Sequence, residues 1–565
     1  MSEAATHPGG AELLFLPLGG AGEIGMNLNL YGYGPPDDET WLMVDLGVTF
    51  NDGALPGVDV ITPDPAFIAE RRDRLAALVL THAHEDHIGA VPYLWPQLRC
   101  PIYATPFTVS VLKRKLAETD FADAVEIIEV PLGGRLVIGP FELELVTLTH
   151  SIPEPNAIVI RTPLGTVFHT GDWKFDPDPV VGEVADEATL RRIGEEGALA
   201  VVCDSTNVFT PGESGSEADI LENLDEIIAA RTGRVAVACF ATNVARLETI
   251  ATAAAKNGRD VVLAGRSLQR IVAAARENGY MSDVAAFLTE DDAGFLPDDK
   301  ALIICTGSQG EPRAALARIA EGDQPRVALN AGDTLIFSSR VIPGNERAIG
   351  ELQAKFLRRG IEVVTARDSM IHVSGHPARD ELARMYQHLR PEIAVPVHGE
   401  LRHLTEHAQL ARDCQVPHAV VCENGAVVRL APGAAGVINH VPAGRLAADG
   451  NRLVPVDSEV VKSRIRTMWN GFAVLTVVLD GARLAAEPQI STSGLVEDDD
   501  DPDLDAVRLA VQETIDRLLP DAGGADDDAV AEEVRIAARR AFRALFDKRT
   551  VTRVHLVRRN GTTGE

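Results

Sequence analysis

Between Leu80 and Val91 the chain reads Thr81-His82-Ala83-His84-Glu85-Asp86-His87-Ile88-Gly89-Ala90, which puts three histidines and two carboxylates into six consecutive positions. An apolar run, Leu75 to Leu80, precedes it, and Val91-Pro92-Tyr93-Leu94 follows. That order predicts a buried strand, a loop and the start of a short helix. Imidazole and carboxylate together are the ligand set of zinc and its neighbouring divalent metals. The spacing lets one loop serve two ions. His82 and His84 reach one side, while Asp86 and His87, at the helix start, reach the other. A solvated polar loop could hold the same residues, but H-x-H-x-D-H directly behind a buried strand is rare in random sequence.

At 565 residues the chain is long enough for several domains. No apolar run reaches the ~18 residues of a membrane span, and Met1 to Gly10 is polar and lacks a signal-peptide pattern. The six cysteines (Cys100, Cys203, Cys239, Cys305, Cys414, Cys422) are scattered and form no C-x-x-C pair. They read as buried thiols in a reducing compartment, so the expected location is the cytoplasm, with no membrane partner. A net charge of −30 argues against non-specific coating of nucleic acid. It leaves room for an enzyme acting on nucleic acid, because ions and local basic residues set the field inside a cleft. Much of the acid is localised in Glu497-Asp498-Asp499-Asp500-Asp501-Pro502-Asp503 and Asp526-Asp527-Asp528, which read as solvated linkers or loops.

Along the chain, Leu13 to Leu18 reads as a strand, followed by Gly19-Gly20-Ala21-Gly22-Glu23-Ile24-Gly25. This contains a G-x-G-x-x-G match, but Met26 to Tyr31 alternates like a strand where a dinucleotide fingerprint requires a helix. A hairpin is expected instead. Trp41 to Gly47 is another strand and carries Asp45 at its end. From about Gly215 helical stretches alternate with short buried strands at Arg234–Phe240, Asp260–Ala264, Ala301–Cys305 and Arg326–Asn330. That rhythm predicts a parallel sheet in βα units, with ligands at the carboxyl ends of its strands. Those ends are expected to carry Ala241-Thr242-Asn243, Gly265-Arg266-Ser267, Thr306-Gly307-Ser308-Gln309-Gly310 and Ala331-Gly332-Asp333. Glycine, hydroxyl and arginine suit loops that present N–H groups and charge to phosphates, though any one loop could be an ordinary turn. Beyond Val363 the metal-site texture returns, in Ile371-His372-Val373-Ser374-Gly375-His376-Pro377 and in a strand ending Val397-His398-Gly399-Glu400. The βα region therefore reads as an insertion into the metal-binding domain. After the polar region beyond Gly450 come a strand (Gly471 to Leu479), helices at Val507–Leu519 and Ala531–Phe546, and a basic strand, Val551 to Arg559.

His150, Asp172 and His398 stand at further strand ends, where loops converge. Each alone has an ordinary reading as a satisfied core or turn residue; the ordered series behind the central loop makes them candidate ligands. With them in view the chain resembles the metallo-β-lactamase-fold hydrolases, and within these the β-CASP branch and the ribonuclease J family. The resemblance covers essentially the whole chain. It rests on Leu18 to Asn27, Thr81 to Gly89, Thr149-His150-Ser151-Ile152-Pro153, His169-Thr170-Gly171-Asp172 and Asp204-Ser205-Thr206-Asn207. It continues through Cys305 to Pro312, Pro343-Gly344-Asn345, His372-Val373-Ser374-Gly375-His376 and Pro396-Val397-His398-Gly399-Glu400. The H-x-H-x-D-H loop carries only the superfamily; Thr306 to Pro312 and His372 to His376, in order, carry the family.

The resemblance implies an α/β fold: a metallo-β-lactamase αββα sandwich with an inserted β-CASP parallel-sheet domain and a small C-terminal α/β domain. The expected parts are residues 1–210 and 365–450 for the sandwich, 211–364 for the insertion, 451–465 for a linker and 466–565 for the C-terminal domain. It further implies that His82, His84 and His150 hold one metal, that Asp86, His87 and His398 hold a second, and that Asp172 bridges them. Asp45 would orient ligands from behind. Asp204 matches the acidic motif that opens the β-CASP region, and His376 that branch's first added histidine. A histidine at 398 is associated in the branch with RNA substrates, where DNA enzymes carry valine. Arg266, Ser267, Thr306, Gly307, Ser308 and the loop His372, Val373, Ser374, Gly375, His376 would line the RNA path, the loop holding a phosphate upstream of the cut.

Two ions some 3.5–4 Å apart would activate a water and stabilise charge developing on phosphate. Asp86 would orient the water, and His376 would polarise the phosphate or protonate the leaving 3′-oxygen. The family reading adds 5′→3′ exonuclease activity on single-stranded RNA with a preference for 5′-monophosphate ends, endonuclease activity at the same site, and roles in mRNA decay and rRNA processing. The ions are expected to be Zn²⁺, with Mn²⁺ the alternative, and Asp449 is a candidate for an additional structural cation. A homodimer or homotetramer and partners in an RNA-degradation complex are expected from the family. The rivals are a DNA nuclease, a small-molecule (lactam or thioester) hydrolase of the same superfamily, and a scaffold that has lost its chemistry; the long insertion speaks against the second, and the complete ligand series against the third.

Overall fold

The structure is a computed structural model that describes residues 10–51, 53–342, 344–519 and 526–559. The polar start read at Met1 to Gly10, except Gly10, and Pro343 of the Pro343-Gly344-Asn345 segment lie outside these residues. The chain divides into two compact units, one comprising the described part of 1–52 with 60–448, the other 53–59 with the described part of 449–565.

Two sheets face each other in the first unit. One has eight strands in the order Gly436–His440, Ala426–Ala431, Glu12–Gly19, Leu28–Gly34, Thr40–Val44, Leu75–Val79, Ile102–Ala104, Ile127–Glu129. The other has seven, in the order Arg135–Ile138, Phe141–Thr147, Asn156–Thr162, Gly165–His169, Ala200–Asp204, Ile393–Val397, His418–Ala419. Between them lies one apolar layer: Phe15, Tyr31, Leu42, Val44 and Val79 from the first sheet, Leu143, Leu145, Ile158, Ile160, Val202 and Val395 from the second. Strands buried on both sides read as continuous apolar runs, which is why Leu75 to Val79 is legible as a strand. Leu28–Gly34 pairs antiparallel with Glu12–Gly19, so the glycine-rich turn between them is a hairpin connection and no dinucleotide loop.

The inserted region forms its own five-stranded sheet, Asp260–Ala264, Ala301–Cys305, Val235–Ala238, Thr334–Phe337, Glu362–Val364, and every pairing in it is parallel. Three of its strands fall where the apolar runs predict them. The fourth does not: Arg326 to Asn330 is irregular and the strand is Thr334–Phe337. The reason is polar. Asp333 accepts the amides of Asn330 (2.7 Å) and Arg234 (2.8 Å), closing a turn just before the strand. Arg234 immediately precedes the strand Val235–Ala238, so Ala331-Gly332-Asp333 sits at the amino ends of this parallel sheet, away from the carboxyl ends where ligands bind. The loop that does leave the carboxyl end is Ser338-Ser339-Arg340.

The second unit has a separate core. Strand Phe472–Asp480 pairs in parallel with Val551–Arg558 and antiparallel with Gln489–Ser493. Its buried alternate residues, Ala473, Leu475, Val477 and Leu479, pack with Val507, Val511 and Ile515 of helix Asp505–Leu518 and Val534, Ala538 and Phe542 of helix Asp527–Phe546. The span 451–465, expected as a linker, holds a strand, Arg452–Pro455, and the start of a helix, Glu459–Asn470. Its polarity hid the helix, which Ser458 caps and which buries Val461. The acidic run is also partly used: Asp499 accepts both the amide (2.7 Å) and the hydroxyl (3.1 Å) of Thr492.

Candidate active site

The predicted loop leaves strand Leu75–Val79 and turns at His84 into the short helix Glu85–Ile88. It is clamped from beneath. Asp45, at positive φ (64°), accepts hydrogen bonds from the Thr81 amide (2.8 Å) and the Thr81 hydroxyl (2.8 Å), and its Oδ2 lies 2.7 Å from His87 Nδ1. Gly47 lets the backbones meet: a Cβ there would lie 1.7 Å from the Asp86 carbonyl oxygen.

Three further strands, Phe141–Thr147, Gly165–His169 and Ile393–Val397, end just before His150, Asp172 and His398 and bring them to this loop. His82, His84, His150 and Asp172 form one set whose potential ligand atoms all lie within 4.8 Å of each other, and Asp86, His87, Asp172 and His398 form a second. Within the first, His84 Nδ1 is 3.0 Å from His82 Nε2 and 3.1 Å from His150 Nε2. Within the second, His398 Nε2 is 3.1 Å from Asp86 Oδ2, and His87 Nε2 is 3.1 Å from Asp172 Oδ2. Two ligands about 2.1 Å from a tetrahedral centre lie roughly 3.4 Å apart, so these separations are those of a ligand shell. Asp172 belongs to both sets. A third set adds Asp204 and His376 to Asp172 and His398.

The outer nitrogens are held too, as orienting partners of metal-binding imidazoles are. His150 Nδ1 meets the Gly375 carbonyl (2.5 Å), His398 Nδ1 meets the Thr206 hydroxyl (2.8 Å), and His376 Nδ1 meets Asp204 Oδ2 (2.8 Å). Gly375 has no room for a side chain, since a Cβ would stand 2.5 Å from His150 Cε1.

The electrostatics divide the histidines into two groups. Burial, reinforced by neighbouring imidazoles, pushes His82 and His150 well down and His84 to about 4, so these three are neutral bases, the form that ligates metal. At His87 and His398 burial is outweighed by carboxylates, Asp172 foremost, and both are raised. The reciprocal effect, again against burial, holds Asp172 and Asp86 below the carboxylate range. The carboxylate field that holds protons on His87 and His398 is the field a dication would meet, and the donor set fits two divalent metals.

The remaining predicted residues divide. His372 to His376 lies beside the cluster, tied to it through Gly375 and His376. Thr306, Gly307 and Ser308 lie at the carboxyl end of the parallel sheet, with Gly307 and Ser308 buried; the next residue, Gln309, donates to the Arg340 carbonyl (2.8 Å). Arg266 and Ser267 are exposed at the head of helix Arg266–Glu277. Asp449 lies in the other unit, where its Oδ2 is 2.8 Å from Arg464 and 3.1 Å from Arg452; guanidinium groups occupy it.

Sequence reasoning assigned no role to three further groups, although it quoted Asn207 within a family segment. Asn207 donates to Ser374 Oγ (2.7 Å) and to the His376 carbonyl (3.0 Å). Arg246 is fully buried, pairs with Glu217, and donates to the carbonyls of Ser338 (2.9 Å) and Ile371 (3.0 Å), pinning the chain just before His372. Arg340 donates to Asn207 Oδ1 (2.5 Å). A lone arginine among the apolar positions of Val244–Ala255 was a usable signal for Arg246. None existed for Arg340 while its strand was misplaced.

A sandwich with this dinuclear-type cluster at its loop ends defines a hydrolase of the metallo-β-lactamase class. Comparison with known families agrees: the family described as "Metallo-beta-lactamase superfamily" matches residues 30–238, "Ribonuclease J, beta-CASP domain" matches 232–355, and "Zn-dependent metallo-hydrolase RNA specificity domain" matches 360–420. The chain is 47% identical over 554 residues to ribonuclease J of Sinorhizobium meliloti, covering 97% of each. It is 37% identical to ribonuclease J 1 of Streptococcus pyogenes, covering 85% of this chain and 86% of that one, and 36% identical to ribonuclease J of Thermus thermophilus, covering 82% of each. A crystal structure of a protein of unknown function from Enterococcus faecalis V583 shares the fold, with a TM-score of 0.51 and 17% identity over 74% of this chain and 100% of that one. The chain belongs to the ribonuclease J family.

Proposed function

We propose that this metal-dependent hydrolytic ribonuclease degrades single-stranded RNA from the 5′ end, preferring a 5′-monophosphate, and cuts internally at the same site. The observation that supports this most is the convergence of His82, His84, His150, Asp86, His87, Asp172 and His398 on one cluster, in a chain 47% identical over 97% of its length to a ribonuclease J. His82, His84 and His150 would hold one ion and Asp86, His87 and His398 the other, with Asp172 available to both. When bound, a pair of divalent ions supplies electrophilic stabilisation of phosphoryl oxygen and lowers the pKa of water at the site. Zn²⁺ suits the histidine-rich set, and Mn²⁺ suits the shared carboxylates.

The chain's own groups do the rest. Asp86 accepts a hydrogen bond from the attacking water and aims it at phosphorus. The water oxygen bonds to phosphorus as the P–O3′ bond breaks, leaving a 5′-phosphate and a 3′-hydroxyl. His376, anchored through Nδ1 on Asp204, presents Nε2 to the phosphate and delivers a proton to the departing 3′-oxygen. Against burial, Asp204 and Asp172 raise the affinity of His376 for that proton, which suits it as the acid. Arg266, Ser267, Thr306 to Ser308 and His372 to His376 contact the RNA. The domain bounds expected from the sequence, with 451–465 joined to the C-terminal part, a dimer or tetramer, partners in an RNA-degradation complex and a cytoplasmic location complete the reading; no helix of the described residues is long and apolar enough to cross a membrane.

The test uses one RNA made with a 5′-monophosphate and again with a 5′-triphosphate. Metal-stripped enzyme is resupplied with zinc, manganese or magnesium and the products are resolved. Mononucleotides from the monophosphate RNA, with internal cuts or little reaction on the triphosphate, are expected. No RNA cleavage with any metal, alongside turnover of DNA or of a lactam or thioester, would overturn the reading.

A further inference from the structure

Beside the metal cluster the first unit has a cavity of about 360 Å³ lined in part by Asn207, Thr210, Arg340, His372 and Ser374. Its position follows from its walls: Asn207 and Ser374 are hydrogen-bonded to each other and both to the backbone of His376. Arg340 is the cation in this lining, and it is exposed. Among the described residues its guanidinium has one hydrogen-bond partner, Asn207 Oδ1, reached through Nη1. Nε and Nη2 remain as donors. The other cations of this corner are committed. Lys174 is buried, donates to the Gly215 carbonyl (2.9 Å) and pairs with Asp176 (2.8 Å), and Arg246 is buried against Glu217.

A second observation points to a ligand here. Nδ1 of His372 is buried without a hydrogen-bond partner. Burial and the charges of Arg246, Arg340 and Lys174 lower this imidazole to about 3, so it is neutral at any working pH and can donate through one nitrogen. An arginine with free donors, a neutral imidazole and the Ser374 hydroxyl form a polar cradle of the kind that binds phosphate. The lining also carries two acidic residues: Asp219 is turned to the Ser216 amide (3.2 Å), and Glu213 is exposed.

We infer that Arg340 is a specificity-determining residue of the nuclease: its guanidinium grips one phosphate of the bound RNA in this cavity, and Asn207 links that grip to the Ser374–His376 backbone. The inference rests on the ribonuclease reading and adds a contact to it. The phosphate is either the 5′-terminal monoester or an internal diester, and the test separates the two.

KM and kcat for the 5′-monophosphate RNA are measured across a salt series for wild type, Arg340→Ala, Arg340→Lys and, as a control, Lys256→Ala. Lys256 lies at the far end of helix Val244–Lys256 from the site. Losing one phosphate contact on a single strand flattens the slope of log affinity against log salt by ~0.7. Arg340→Ala is expected to raise KM about ten- to a hundredfold with that flatter slope, as loss of a charged hydrogen bond would. Arg340→Lys is expected to keep the slope and recover part of KM, and Lys256→Ala to match wild type. A neutral methylphosphonate is then moved stepwise along the RNA, and a 5′-hydroxyl RNA is added to the set. The one substrate change that costs wild type affinity and costs Arg340→Ala nothing further identifies the phosphate.

If Arg340 only braced Asn207, kcat would fall with the salt slope unchanged in both variants, and the inference would be wrong. The same holds if no substrate change is masked by Arg340→Ala. Wild-type protein that turns over no RNA would instead sink the ribonuclease reading itself.

Discussion

Asp45 illustrates how much of this site is decided one residue behind the reacting atoms. Its carboxylate takes both polar groups of Thr81 and faces His87 Nδ1, inside a fully buried setting. Asp45→Ala would leave the Thr81 amide without its acceptor and His87 Nδ1 without its carboxylate, so metal affinity is expected to fall about 10–100-fold, read by competition with a chelator. Unchanged affinity would mean that the ring is oriented by packing alone. His376→Ala should separate binding from chemistry: the metals stay, and turnover drops by roughly 10²–10⁴. Full turnover at wild-type metal content would remove His376 from the mechanism. Gly375→Ala puts a methyl group 2.5 Å from His150 Cε1. The backbone there also holds His150 Nδ1, so metal content per chain, measured by elemental analysis, is expected to drop; a full complement would show that the loop has slack.

At the scale of elements, the question is what holds the His372–His376 loop against the sandwich. Arg246, on helix Val244–Lys256, reaches Glu217, Ser338 and Ile371 from a fully buried position. Arg246→Met would leave the Glu217 carboxylate buried and unpaired, and the expected cost is about 3–5 kcal/mol in urea unfolding. Adding Glu217→Gln should return much of that loss, because the stranded charge is the larger part of the penalty. Arg114 and Glu277 also join a sandwich helix to an insertion helix, at 2.6 Å, but both are substantially exposed. Arg114→Ala is expected to cost under about 1 kcal/mol, since solvent screens the pair. Two ion pairs of similar length thus differ severalfold in consequence, and burial makes the difference.

Across the whole molecule, every proposed metal ligand belongs to the unit that holds residues 60–448, while residues 449–519 and 526–559 have a core of their own. Ions that bind only the folded first unit stabilise that unit by mass action. Chelation should therefore lower the unfolding temperature of the first unit and leave a transition from the second in place, seen by calorimetry with and without metal. A single transition shifting as one would show that the two units unfold together.

The local chemistry of the sequence determined a good deal. H-x-H-x-D-H behind an apolar strand marked the centre, and several buried strands, Leu13 to Leu18 and Leu75 to Val79 among them, announced themselves as apolar runs, whereas Ala426–Ala431 went unread. The alternation from Met26 to Tyr31 separated a hairpin from a nucleotide loop. The family resemblance then ordered His150, Asp172, Asp204, His376 and His398 into candidate roles that spacing alone left open. What the sequence could not supply is convergence. Asp172 lies 3.1 Å from His87 and 3.7 Å from His398 because a strand near residue 169 and another near residue 397 end at one edge, a fact of sheet order. Arg340 was invisible for the same reason. Arg326 to Asn330 and Thr334 to Phe337 are both short apolar stretches, and the turn at Asp333 selects the second as the strand. Only long-range pairing, here Val235 with Thr334, settles which end of the sheet a loop belongs to. Periodicity is local, and the side chains that meet in the cluster are separated by up to several hundred residues of chain, so their meeting is decided by the packing of the sheets.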